Sequence, residues 1–143
     1  MKRLVLDTDV IVAAMRSPSG ASAALLEAAL NGRITLLASV PLFFEYEAKC
    51  TEPEHWKAAG LTKEDVEVFI NGIAALVEPV EPHFLWRPVL RDPNDEMVLE
   101  VAVNGNADAL VTFNLRDYGN VPTVTFGIPV LLPSMAIRRI RDE

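Results

Sequence analysis

Short apolar runs alternate along the chain with segments in which apolar residues recur every three to four positions. RLVLD, Arg3 to Asp7, reads as a buried strand, followed by a turn and then by a helix-period segment from about Ser19 to Asn31 that ends at Gly32. ITLLA, Ile34 to Ala38, is a second strand. Ser39 stands where it can cap the next segment, VPLFFEYEAKC, with Pro41 near its first turn. Thr62, with Asp65 three residues on, has the pattern of a capping box ahead of Val66, Phe69, Ile70, Ile73 and Leu76 at helical spacing. Glu78 to Pro93 carries four prolines and little periodicity, which predicts an extended connector. Beyond it, Asp92 can cap a helix with Pro93 in its first position and a buried stripe of Met97, Val98, Val101 and Ala102 before Gly105. DALVT, Asp108 to Thr112, reads as a third strand and Ile128 to Leu132 as a last short one. A helix from near Ser134 follows, and its cationic end at Arg138, Arg139 and Arg141 suits the helix dipole.

Strands alternating with helices predict an α/β fold: three layers, α/β/α, around a mainly parallel central sheet, because parallel neighbours need crossover connections. In such sheets, sites form at the carboxyl ends of strands. Asp7 and Thr112 fall at ends of that kind, and Asp95 begins a helix that can reach the same edge. A length of 143 residues suits one domain, residues 1 to 143, with no internal repeat.

Composition narrows the class further. Half the residues are apolar and the mean hydropathy is +0.22, which excludes a disordered chain and suits strands covered on both faces. The first fifteen residues hold an apolar stretch, but Asp7 and Asp9 interrupt it, so it predicts a strand and loop rather than a secretion signal or membrane span. Cys50 is the only cysteine; no disulfide framework or cysteine metal cluster is expected, and a reducing cytoplasm fits. The formal net charge of −7 argues against a general nucleic-acid binder. Clustered Asp and Glu that bind divalent ions would account for the same excess.

Four segments concentrate the candidate chemistry. In LVLDTDVIV, Asp7 closes an apolar strand, with Asp9 two residues on; an acid there either starts a turn or stands at a sheet-edge site. In FFEYEAKC, Glu45 sits on a helix whose aromatic residues should face the core, so its charge calls for a cation or donors. Glu47 competes with it, and the spacing equally allows Glu45 to pair with Lys49 on the helix surface. In RDPNDEMVLEVAV, Asp92 and Asp95 suit capping and first-turn roles, while Asp95 is the better placed to project towards the strand ends. In LVTFNLRDY, Thr112, Asn114 and Asp117 gather oxygen ligands or water-binding groups after a strand. Lys49, Arg16, Arg91 and Arg116 lie near these acids and could position phosphates or serve as solvated surface charges. His55 and His83 belong to no nucleophile or metal motif, and Trp56 and Trp86 suit packing more than base stacking.

In order and spacing these segments resemble the PIN domain, and specifically its VapC-like toxin nucleases, over nearly the whole chain. LVLDTDVIVAA is similar to the family's opening strand with its first acid at Asp7, SVPLFFEYEAKC to the helix bearing the second at Glu45, and RDPNDEMVLEVAVNGNADALVTFNLRDY to its helix, strand and loop, with the third acid at Asp95. The resemblance implies a catalytic trio of Asp7, Glu45 and Asp95, a polar loop at Thr112, Asn114 and Asp117 that helps hold the cofactor, and metal ligands at Asp7, Glu45, Asp95 and Asp117. It implies an Mg²⁺- or Mn²⁺-dependent endoribonuclease acting on RNA, a small antitoxin as partner and a homodimer. Two positions depart from the family pattern: Asn114 stands where many members carry a fourth acid, a role open to Asp117, and Asp9 stands where they often have Asn.

DTDV after an apolar strand also resembles the haloacid-dehalogenase phosphatases, with Asp7 as nucleophile, Asp9 as general acid and the Ser of LLAS for phosphate. That family needs a later Lys and a Gly-Asp motif; Lys49, Lys57 and Lys63 are available, but Asp92 follows Arg91 in the proline-rich stretch. A receiver domain expects a Lys near the last strand, and none follows Lys63. A degenerate PIN domain that binds RNA or protein without cutting is the reading that Asn114 motivates.

Overall fold

The computed structural model describes residues 1–82 and 90–143. Its first strand, β1 (Arg3–Leu6), buries Leu4, Val5 and Leu6 almost completely. A strand without polar alternation is stable only with both faces covered. Helix α1 (Thr8–Arg16) starts immediately after Asp7, where the sequence predicted a turn leading on to residue 19. The pattern hides it because Thr8, Val10, Ile11, Val12, Ala14 and Met15 are all buried, which leaves a narrow polar side marked only by Asp9 and Arg16. Helix α2 (Ala21–Leu30) then returns the chain to β2 (Thr35–Ala38).

Helix α3 (Val40–Cys50) begins as expected: the Ser39 hydroxyl accepts from the Leu42 amide at 3.2 Å. A short helix, α4 (Pro53–Ala58), precedes α5 (Lys63–Leu76), which starts with the Thr62–Asp65 capping box. The expected connector from Glu78 is corrected at its start. Strand β3 (Val77–Pro79) follows α5 directly and pairs with β2 at the sheet edge, where a proline costs no ladder hydrogen bond. The middle of that connector, with His83 and Trp86, lies outside the described residues.

Helix α6 (Pro93–Asn104) is capped by Asp92, whose carboxylate accepts from the Asn94 amide at 2.8 Å. After β4 (Ala109–Val111) come two short helices that the sequence did not announce, α7 (Leu115–Tyr118) and α8 (Val121–Phe126), then β5 (Val130–Leu131) and α9 (Pro133–Arg141).

The strands lie in the order β3-β2-β1-β4-β5, and every pair is parallel. This is a three-layer α/β/α fold. Helix α6 packs across β1, β2 and β4, while α1 packs on α2 and α3, and α2 on α9. At the amino ends of the strands, Asp108 accepts from the amides of Lys2 and Arg3 at 2.8 and 2.9 Å, tying β1 to β4. The strand order reverses between β1 and β4, so a crevice opens beyond their carboxyl ends.

Candidate functional site

Asp7 occupies that crevice. It ends β1 and caps α1: Oδ1 accepts from the Thr8 amide at 2.7 Å, and Oδ2 accepts from the Thr112 hydroxyl at 2.9 Å and the Tyr118 hydroxyl at 3.0 Å. Its own amide donates to the Val111 carbonyl at 2.8 Å, and the Tyr46 hydroxyl donates to the Leu6 carbonyl just before it. Backbone and carboxylate are therefore both held. Asp9, in the first turn of α1, turns Oδ2 towards the loop after β4, where it accepts from the Phe113 amide at 3.1 Å and the Asn114 side-chain amide at 3.3 Å. Its Oδ1 is buried with no hydrogen-bond partner among the described residues. A buried carboxylate oxygen without a donor is costly, and a cation would satisfy it.

One cavity of ≈ 330 Å³ gathers the acids of separate elements: Asp7 and Asp9 from the β1–α1 junction, Glu45 from α3, Asp92 and Asp95 from the start of α6, and Asp117 from α7. Asn114 also lines it, as do Lys49 and His55. The local alternatives read from the sequence are thus distributed among these residues. Asp92 caps α6, and Asp95 is buried one turn in. Glu45 is half-buried on the cavity wall and Glu47 is exposed. The aromatic residues of α3 do not all turn inward: Tyr46 is buried, but Phe44 is 59% exposed. Thr112 is wholly buried; it touches the acids through its hydroxyl, which also accepts from the Asn114 amide at 3.0 Å.

Burial and mutual repulsion set the charge state of this cluster. Burial raises the Asp7 carboxyl against the opposing hydrogen bonds from Thr112, Tyr118 and Thr8. Asp9 is pushed up to about 6 by burial and then by the charge of Asp7. Asp95 is pushed up to about 6 by burial and then by Asp7, Asp92 and Asp117. The Tyr118 and Tyr46 hydroxyls are raised as well, first by burial, and stay protonated as donors.

Several features here had no sequence signal. Tyr46 reads as one of the core-facing aromatic residues of its helix and Tyr118 stands only as the end of the LVTFNLRDY loop, and nothing local shows that their hydroxyls meet Leu6 and Asp7. His55, expected to be incidental, reaches the cavity wall on the unpredicted α4, where its Nδ1 lies 3.4 Å from Arg16 and its Nε2 3.4 Å from Glu52 and 3.6 Å from Glu54. Among the described residues, Glu52, Glu54 and His55 are the group whose ligand atoms all fall within 4.8 Å of one another. The acids around Asp7 are not among the groups that meet this spacing. Trp56 packs against the core and donates to the Thr51 carbonyl, in line with a packing role. Arg91 and Arg116 wall an adjoining cavity that shares Asp92, Asp95 and Asp117.

A family model described as the PIN domain matches residues 3–116. The chain belongs to the PIN-domain family. PIN domains are generally nucleases and generally use divalent metals, which sets aside the phosphatase and receiver readings. This PIN domain shares its fold with a solved structure, that of VapBC2 from Rickettsia felis bound to a DNA fragment from their promoter. The TM-score is 0.62 at 16% identity, covering 91% of this chain and 98% of that one. No curated protein matches the chain. Among the described residues, no helix is long and apolar enough to cross a membrane.

Proposed function

We propose that this PIN domain is an Mg²⁺- or Mn²⁺-dependent endoribonuclease that hydrolyses RNA phosphodiester bonds in the cytoplasm as the toxin of a toxin–antitoxin pair. The observation that carries the reading is the gathering of Asp7, Glu45, Asp95 and Asp117 around one cavity at the strand-order reversal, with the unpartnered Asp9 oxygen beside them. An all-oxygen, carboxylate-rich donor set fits a hard divalent cation. When bound, such an ion supplies Lewis acidity towards the phosphate and acidifies the attacking water.

The chain's own residues do the rest. Asp7, Glu45, Asp95 and Asp117 are the metal-holding carboxylates, the first three being the catalytic trio. Thr112 and Tyr118 donate to Asp7 and hold its carboxylate in one orientation and favour its charged form. Asn114 orients Asp9 without adding a charge, and Lys49 offers a cation to the substrate phosphate. Concentrating acids in one cavity also accounts for the net charge of −7 in a nucleic-acid enzyme.

The fold shared with VapBC2 supports an antitoxin as partner. A homodimer is supported by Val40 and Phe44, one helical turn apart on α3 and 62% and 59% exposed, and by Val68 on the neighbouring α5 at 72%. A monomer in sedimentation would overturn the dimer, and co-expression that retains no small protein would count against the antitoxin.

The deciding experiment is cleavage of labelled single-stranded RNA by wild type, Asp7→Asn and Asp95→Asn, each with Mg²⁺, Mn²⁺ or EDTA. Metal-dependent cleavage by wild type alone, with both variants folded, is the expected result. Equal behaviour of all three overturns the nuclease reading. RNA binding without metal-dependent turnover would favour the non-cutting PIN domain that Asn114 motivates.

A further inference from the structure

Three further cavities run away from the acid cavity and share walls in sequence. Asp9 and Val12 belong both to the acid cavity and to an open depression that continues to Arg16, Ser17 and Phe113. Ser17 and Phe113 pass from there into a cavity of ≈ 260 Å³ that meets the starts of α2 and α9 at Gly20, Ser22 and Ser134. Gly20 and Ser134 lead in turn into a cavity of ≈ 380 Å³ walled by Arg138 and Arg141.

The groups along this line are not explained by folding. Phe113 is 48% exposed, so its ring adds little to the core, yet its amide is tied to Asp9 and holds the residue beside the acids. Arg138 and Arg141 are exposed and hold no ion pair among the described residues; Asp142 shares their cavity. Among the described residues α2 has no side-chain cap, so its first amides remain open to an anion, whereas α9 opens on Pro133, which has no amide hydrogen to offer. The Ser22 hydroxyl, on a residue only 4% exposed in the wall of the ≈ 260 Å³ cavity, is buried without a partner among the described residues. Phe113 lies in the wall between the acidic centre and the basic end, and an exposed ring there suits a base, whose π-face any nucleotide presents.

We propose that these cavities form a track for single-stranded RNA on one side of the bond to be cut, with a base stacked on Phe113 and a backbone phosphate held by Arg138, Arg141 and the start of α2. The occupant rests on the ribonuclease reading above. An unpaired strand is required because a base within a duplex cannot present its face to the ring. Guanidinium groups with free helix amides match phosphate oxygens.

The test compares wild type, Phe113→Ala, Phe113→Trp and Arg138→Ala/Arg141→Ala. Binding of a fluorescent single-stranded RNA is followed by anisotropy in EDTA, and hydrolysis of the same RNA and of bis(p-nitrophenyl) phosphate in Mg²⁺. The expected result is a loss of RNA affinity of roughly tenfold for Phe113→Ala, restored by Phe113→Trp. For the double arginine variant the slope of log affinity against log salt falls by about 1.4. Hydrolysis of the small diester stays unchanged in all variants. RNA affinity that neither change moves overturns the track, as does equal loss of small-diester hydrolysis, which would place the damage in the acid site. Loss of binding to a copurifying protein with RNA affinity intact assigns the groove to a protein and also overturns it. If wild type binds RNA through Phe113 but cuts nothing, the track stands and the nuclease reading fails.

Discussion

The Tyr118 hydroxyl lies 3.0 Å from Oδ2 of Asp7, a contact between residues 111 positions apart in the chain. Burial raises the Asp7 carboxyl, and this hydrogen bond works in the opposite direction. Tyr118→Phe therefore pushes Asp7 further up and leaves its charged form less well solvated. The expected result is a loss of about 1.5–3 kcal/mol in urea unfolding at neutral pH. The acidic limb of the cleavage profile should also move to higher pH. An unmoved limb would show that the hydroxyl serves packing alone.

Asp9 and Asp95 titrate near 6 in the folded chain against an ordinary 3.8. The folded state therefore holds these protons more tightly than the unfolded state. The stability they contribute is fully present below about 3.8 and is lost as pH rises through about 6. Without metal, the melting temperature should fall between pH 5 and 7. Asp9→Asn should flatten that slope and raise the melting temperature at pH 7.5 by roughly 2–5 °C. Millimolar Mg²⁺ should restore wild type at pH 7.5 and do less at pH 5, where protons compete for the same oxygens. A melting temperature that rises over this window, or ignores Mg²⁺, would contradict the assignment.

Glu45 lines the acid cavity while Glu47, two residues on, is exposed. Glu45→Gln should weaken Mg²⁺ binding in calorimetry by about tenfold or more, and Glu47→Gln should leave it unchanged. Equal effects from the two would remove Glu45 from the ligand set.

Gly105 ends α6 where there is no room for a side chain. A Cβ there would stand 2.9 Å from both Leu37 Cδ1 and the Val101 carbonyl oxygen, and 3.0 Å from Val80 Cγ2. The carbonyl belongs to the helix backbone and cannot swing away. Gly105→Ala should cost about 1–3 kcal/mol in chemical denaturation.

The chain's local pattern determined the elements with a local cause: the apolar β1, the Ser39 cap of α3, the Thr62–Asp65 box of α5, and Asp92 with Pro93 opening α6. It also carried the acids in the order by which the chain resembles its family. It did not reveal α1, whose residues are buried almost all round, nor β3, three residues long and recognisable only by pairing with β2. Tertiary structure alone decided which carboxylates meet. Asp7 reaches Thr112 across 105 positions because β1 and β4 are neighbours at the strand-order reversal. The same packing turned Glu45 inward and Glu47 outward and brought His55 to the cavity. Caps and periodicity depend on residues within a turn or two of each other, whereas a site at the ends of parallel strands is assembled by crossovers whose partners lie far apart in the chain.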